Sequence, residues 1–193
     1  MTEPFLRAPS QPSEETDAEA LARVARGELG ALGIIYDRHY LKVLAFSRRV
    51  TRDAADAEDI AQETFLTAAR VAGTFDARSS CRSWLFGITA RLLMHRERAL
   101  GRVSRFLGRF LHHAPEPTAS PLETILGHPL RDELEHALGK LTAEKRMVLL
   151  LAEVEGFGCE QIASSLGIPV GTVWTRLHHA RRELRKRLER RPL

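Results

Sequence analysis

Residues 159–184 read CEQIASSLGIPVGTVWTRLHHARREL, and their spacing decides the fold class. Ile162, Ala163 and Leu166 fall on one face of a short helix. Ala163 and Gly167 stand four apart, a spacing that predicts close packing of two helices across a tight turn. Pro169 follows, where it can open a helix but cannot sit inside one. Beyond it Val173, Leu177, Ala180, Leu184 and Leu188 step by three and four residues into one apolar stripe. This is the pattern of a helix-turn-helix. The opposite face of the second helix holds Thr172, Thr175, His179, Arg182 and Lys186, with Arg176 at its edge and Trp174 between the two faces. Donor side chains near the start of such a helix suit base edges in a major groove, and cations farther along suit phosphates.

Working outward, residues 53–75 read DAADAEDIAQETFLTAARVAGTF. At helical spacing Ala57, Ile60, Ala61, Phe65 and Ala68 turn inward. Asp56, Asp59, Glu63 and Arg70 share the outward side, with Gln62 and Leu66 close by. An acidic stripe alone is a solvated face, but an apolar residue ringed by carboxylates has the character of a docking surface. Residues 83–105 read SWLFGITARLLMHRERALGRVSR. Trp84, Leu85, Ile88 and Leu92 track one face, while Arg91, Arg96 and Arg98 project elsewhere. The polar loop before it carries Phe75, Arg78, Ser79, Ser80 and Arg82. A basic helix behind such a loop suits single-stranded or melting DNA, whose bases are stacked or pocketed while arginines track the backbone. Trp84 fits either a core position under that face or a wedge between strands.

No stretch shows the sustained alternation of a strand, so the chain is expected to be all-α. The periodicity predicts helices over 17–26, 29–51, 54–71, 83–100, 131–139, 143–155, 159–166 and 170–190. Residues 1–16 read as a disordered segment, 17–104 as one helical domain, 105–130 as a Pro-bearing flexible linker, and 131–193 as the helix-turn-helix domain. The 193 residues are 44% apolar and 28% charged, a globular composition. No apolar run approaches the ~20 residues of a membrane-spanning helix, and the first residues lack the apolar core of a secretion signal. Cys81 and Cys159 are too few for a disulfide framework and lack metal-ligand spacing. A cytoplasmic protein is expected.

The net charge of +4 is unevenly spread. Residues 31–72 balance, 73–113 hold 8 basic against 2 acidic groups, 114–137 hold 1 against 5, and 138–193 hold 11 against 6. Two basic blocks around an acidic segment point to two nucleic-acid-facing modules.

Together these residues resemble the sigma factors of bacterial RNA polymerase, in particular the compact extracytoplasmic-function group. DAEDIAQETFLTAAR resembles the family's region two, SWLFGITARLL its promoter-melting helix, and LTAEKRMVLLLAEVEGFGCEQIASSLGIPVGTVWTRLHHARREL its region four. The resemblance covers roughly residues 20–104 and 131–188. It implies that Asp56, Asp59, Gln62, Glu63 and Leu66 dock on the clamp helices of the largest subunit of core RNA polymerase. It implies that Phe75, Arg78, Ser79, Ser80, Arg82, Trp84, Arg91, His95 and Arg98 capture the minus-ten element. Thr172, Trp174, Thr175, Arg176, His179 and Arg182 would read the minus-thirty-five element as duplex. An anti-sigma factor would restrain the chain, holding it at the membrane without inserting it. In this group the melting helix commonly carries Asn and Asp where Arg91 and His95 stand here, and Lys or Arg where Trp174 stands. The resemblance therefore implies the role and not the promoter sequence.

The competing reading is a stand-alone helix-turn-helix regulator whose N-terminal half senses a ligand or dimerises. It predicts duplex binding without polymerase, whereas the sigma reading predicts weak promoter binding by the free chain. No Gly-rich phosphate loop, nucleophile motif or metal-ligand cluster points to an enzyme, a cofactor or a small-molecule substrate.

Overall fold

Side-chain caps mark where several of the helices begin. In the structure, a computed structural model, residues 15–51, 53–108 and 129–189 are described. Helix α1 (Asp17–Ala25) opens on a capping box, in which the Glu19 amide donates to Thr16 Oγ1 and the Thr16 amide to the Glu19 carboxylate. After a one-turn 3-10 helix (Leu29–Ala31), α2 (Leu32–Thr51) and α3 (Ala54–Arg70) follow, the latter capped by Asp53. Ser80 Oγ accepts the Ser83 amide at 3.1 Å and starts α4 (Cys81–Gly108). The second half holds α5 (Pro129–Gly139), α6 (Ala143–Glu153), α7 (Cys159–Leu166) and α8 (Val170–Glu189). No strand occurs among the described residues. The all-α expectation holds, and most helix ends fall within a residue or two of those predicted.

Three points differ from the sequence reading. Helix α4 begins at Cys81 and runs on to Gly108, so the piece after residue 100, whose sequence could continue as a short amphipathic helix, forms one helix with it. The linker expected over 105–130 therefore has helical ends, and its remainder, like the segment 1–14, lies outside the described residues. Gly167 is not there for close packing: an added Cβ would meet nothing within 4 Å. Its φ of +68° is the reason, since it ends α7 in the left-handed region that side chains other than Gly adopt at a cost.

Helices α1 to α4 bury Leu21, Ile35, Val43, Phe46, Ile60, Phe65, Leu85 and Ile88. Helices α6 to α8 bury Met147, Val148, Leu151, Ile162 and Val173. The two sets form one continuous apolar cluster, because α4 packs on α2 and α3 at one side and on α6 and α7 at the other. Phe86, fully buried, lies 5.1 Å from the Phe46 ring and 5.6 Å from that of Phe157. The modules read from sequence are joined through this helix as well as through the chain.

A buried polar network ties α1, α2 and α4. Asp17 accepts from Arg38 at 2.8 Å and pairs with His39 Nε2 at 2.7 Å. Burial acts to raise the Asp17 pKa, but these hydrogen bonds outweigh it and hold the carboxyl below its usual value. Cys81 lies within 4.8 Å of both Asp17 and His39, and burial, reinforced by the carboxylate, pushes its thiol up to about 12. With both Asp17 oxygens already engaged, the cluster is a tie between helices.

Candidate nucleic-acid interface

The C-terminal reading helix behaves as its stripe predicts. Val173, Leu177 and Ala180 are buried, Leu184 is half-buried, and Leu188 emerges at the end of α8. On the other side Thr175 and Arg182 are exposed, while Thr172, Arg176 and His179 are half-buried. Thr175 Oγ1 donates to the Gly171 carbonyl at 2.8 Å, and Arg182 lies 3.2 Å from His179 Nδ1. Trp174 is 61% exposed, so its indole belongs to the solvent side of α8. Helix α8 thus offers an indole, a hydroxyl and cations to solvent from a buried back face.

On α3 the inward set is buried as expected, with Thr64 added to it; Thr64 Oγ1 bonds the Ile60 carbonyl at 2.8 Å. Outward, Asp59, Gln62 and Leu66 are exposed, and Leu66 keeps 58% of its surface. The other two members of the stripe are engaged within the module. Asp56 pairs with Arg96 of α4, and Glu63 with Arg70 at 2.6 Å.

The minus-ten candidates divide. In the loop before α4, Arg78 and Ser80 are exposed and Ser79 is half-buried. Ala77 has a φ of +58°, a conformation costing an Ala roughly 1–2 kcal/mol. Asp76 Oδ1 accepts the Arg78 amide beside it at 3.0 Å. Trp84 is half-buried against the core with Phe75 edge-on at 5.5 Å. His95 is exposed.

Arg82, Arg91 and Arg98 are another matter, because each reaches the C-terminal module. Arg82 pairs with Glu155 at 2.7 Å, donates to its carbonyl at 3.1 Å, and lies 4.8 Å from the Phe157 ring. Glu155 also takes Arg49 at 2.9 Å, and its side chain is only 7% exposed. Arg91 donates to the Ser165 carbonyl at 2.8 Å, and desolvation lowers its guanidinium pKa from the usual value. Arg98 pairs with Glu144 at 2.8 Å, and that hydrogen bond holds the Glu144 carboxyl below its usual value. Glu97 pairs with Arg146 alongside. At the centre α4 touches α7 through Gly87, where an added Cβ would run into the Ser165 carbonyl. A Gly inside a helix costs about 1 kcal/mol relative to Ala, and this approach is what the position requires.

Sequence reasoning missed this seam. Its signal was present in SWLFGITA: Ser83 and every residue from Leu85 to Ala90 are buried, a helix segment apolar all round rather than on one face. Glu155 and Phe157, in the turn after α6, carried no periodic signal at all.

Comparison with known proteins bears on both modules. Residues 35–112 match the model of Sigma-70 region 2, and residues 131–184 that of Sigma-70, region 4. The chain is 30% identical to the RNA polymerase sigma-H factor of Pseudomonas aeruginosa, over 92% of this chain and 96% of that protein. It is 35% identical to the ECF RNA polymerase sigma factor SigL of Mycobacterium tuberculosis, over 88% of this chain and 97% of the relative. Its fold is similar to that of the sigma factor RpoE of Bartonella quintana, solved in complex with the anti-sigma factor NepR. That likeness has a TM-score of 0.59 at 23% identity, covering 88% of this chain and 99% of that one. With both regions matched in order and relatives aligned along most of their length, the chain belongs to the extracytoplasmic-function sigma factors of bacterial RNA polymerase, which direct the enzyme to promoters.

Proposed function

We propose that this sigma factor divides its work among three surfaces of its helices. Core polymerase docks on α3 through Asp56, Asp59, Gln62, Glu63 and Leu66, against the clamp helices of the largest subunit. Residues 75–82 and the outer face of α4 take the non-template strand of the minus-ten element, with Phe75 and Trp84 beside the loop that receives an unstacked base. Helix α8 lies in the major groove of the minus-thirty-five element, with Thr172, Trp174, Thr175, Arg176, His179 and Arg182 toward the bases and phosphates. Two folded modules, 17–104 and 131–193, and the segment between them carry these surfaces. No bond is made or broken by the chain; binding energy goes into opening DNA. It works in the cytoplasm, where an anti-sigma factor restrains it and can hold it at the membrane.

The observation that carries the docking assignment is Leu66, 58% exposed on a folded helix and flanked by Asp59, Gln62 and Glu63. An exposed Leu among carboxylates buries apolar area on binding and has complementary cations to find. Glu63→Lys tests it. The variant retains its helical circular dichroism and loses competition with a reference sigma factor for core polymerase; undiminished competition would move the docking site elsewhere. The restraint assignment draws support from the Bartonella quintana sigma factor, which was solved bound to an anti-sigma factor.

A further inference from the structure

We propose that Trp174 sets a thymine preference in the minus-thirty-five element, its indole packing on the 5-methyl group of one thymine in the major groove. Trp174 thereby supplies the base that the minus-thirty-five assignment of α8, on which this reading rests, leaves open.

The end of α8 that enters the groove is short of hydrogen-bond donors. Residues 170–175 carry no charged side chain, and Arg176 is the first cation of the helix. Thr175 Oγ1 donates its proton to the Gly171 carbonyl at 2.8 Å, so toward a ligand that hydroxyl can only accept. Thr172, half-buried, supplies the other hydroxyl. What this end presents most openly is apolar. Trp174 keeps 61% of its surface, while Val173 and Leu177 beside it are buried. The N-terminal residues of a recognition helix are the ones that reach base edges.

The side of α8 on which Trp174 stands is open. Gly171, three residues earlier on that side, is exposed, and an added Cβ there would meet nothing within 4 Å. A groove can therefore approach the backbone beside the indole with no side chain between. His178, four residues on, is exposed as well, its ring edge-on to that of His179 at 5.6 Å. Arg181, seven residues on, donates from Nε to Glu153 of α6 at 2.8 Å, so its charge is engaged by a carboxylate.

The chemistry of the groove selects the partner. Among the groups that base pairs show there, the thymine methyl is the apolar one, and the others are hydrogen-bond donors and acceptors. An indole has one N–H donor and no charge, so a phosphate offers it little. Its ring gains most where a methyl group displaces water. An Arg in the same place would instead seek the O6 and N7 of a guanine.

The test uses the polymerase–sigma complex and a library of random duplex DNA. Sequences selected by wild type should share a minus-thirty-five block with one thymine-specific position. Uracil is then placed for each thymine of that block in turn, which removes the methyl and nothing else. At the position read by Trp174 binding should weaken about fourfold, the factor that ~0.8 kcal/mol for one buried methyl-sized group converts to. Cytosine there should bind poorly, and 5-methylcytosine should recover part of the loss. Trp174→Ala should bind the thymine and uracil duplexes equally and keep its preferences elsewhere in the block. Trp174→Arg should select guanine at or beside that position. Circular dichroism checks that both variants remain folded. The proposal is overturned if no thymine of the block responds to uracil. It is overturned equally if Trp174→Ala weakens every duplex alike and stays methyl-sensitive, which would place the indole against protein or phosphate. A selection in which wild type enriches no shared block upstream of the minus-ten element strikes the minus-thirty-five assignment itself, a different result from either.

Discussion

Helices α4 and α8 carry similar charge and end in different circumstances. Both are long, arginine-bearing and assigned to DNA. Helix α8 buries one stripe and leaves the opposite face to solvent, as an amphipathic helix should. Helix α4 is covered on two sides, and its Arg82 and Arg98 are turned into ion pairs with another part of the same chain. The difference teaches that a basic helix in a multi-module protein is not by itself an open binding surface. What decides is whether its remaining faces are small and apolar enough for a second module to close on it. Gly87, Phe86 and Ala90 make α4 closable, whereas Trp174 and the hydroxyls of α8 do not.

The largest effect that can break this comparison is Phe86→Ala. Phe86 is fully buried between Phe46 and Phe157, so its truncation should cost about 3–5 kcal/mol of stability. Trp174→Ala on α8 should stay within about 0.5 kcal/mol, since most of that side chain faces solvent. Chemical denaturation measures both; equal losses would mean that α8 is as covered as α4.

A smaller effect concerns reading rather than folding. Arg176→Ala should cost about 1–3 kcal/mol of discrimination between the preferred minus-thirty-five sequence and its single-base variants, if its guanidinium reaches a base edge. A loss that is uniform across sequences reassigns it to a phosphate. Competition binding of the polymerase–sigma complex to a set of duplexes separates the two.

The smallest test uses the native cysteines, which stand at the first residues of α4 and α7. Cys81 is buried with its thiol pushed up to about 12, so at pH 7–8 it should remain protonated and alkylate far more slowly in the folded chain than after denaturation. Cys159 is partly exposed and should label readily. Equal rates in the folded protein would show that the start of α4 is less covered than the structure has it.

How much of this was legible in the sequence follows the same divide. The α8 stripe and the α3 inward set could be read residue by residue, because helical period and burial agree where a helix buries one face and leaves the other to solvent. Gly167 drew attention for the wrong reason: spacing suggests packing, while only the backbone angle shows that the turn needs a left-handed residue. The pairing of Asp56 with Arg96 and of Asp17 with His39 depends on which helices become neighbours, and no local pattern encodes that. The seam was hidden most deeply. Glu155 and Phe157 lie in an irregular turn, and their partners are more than 70 positions earlier in the chain. The expectation of weak promoter binding by the free chain came with the sigma resemblance and not from any contact between the modules.

The most direct test of the account is run-off transcription with purified core polymerase on templates from the chain's own genome. The account expects a promoter-specific transcript when wild-type protein and core are combined, and none from either alone. It also expects Glu63→Lys to abolish that transcript. Sequence-specific duplex binding by the free chain, with no promoter-specific transcript in the presence of core, would contradict it and point instead to a stand-alone helix-turn-helix regulator.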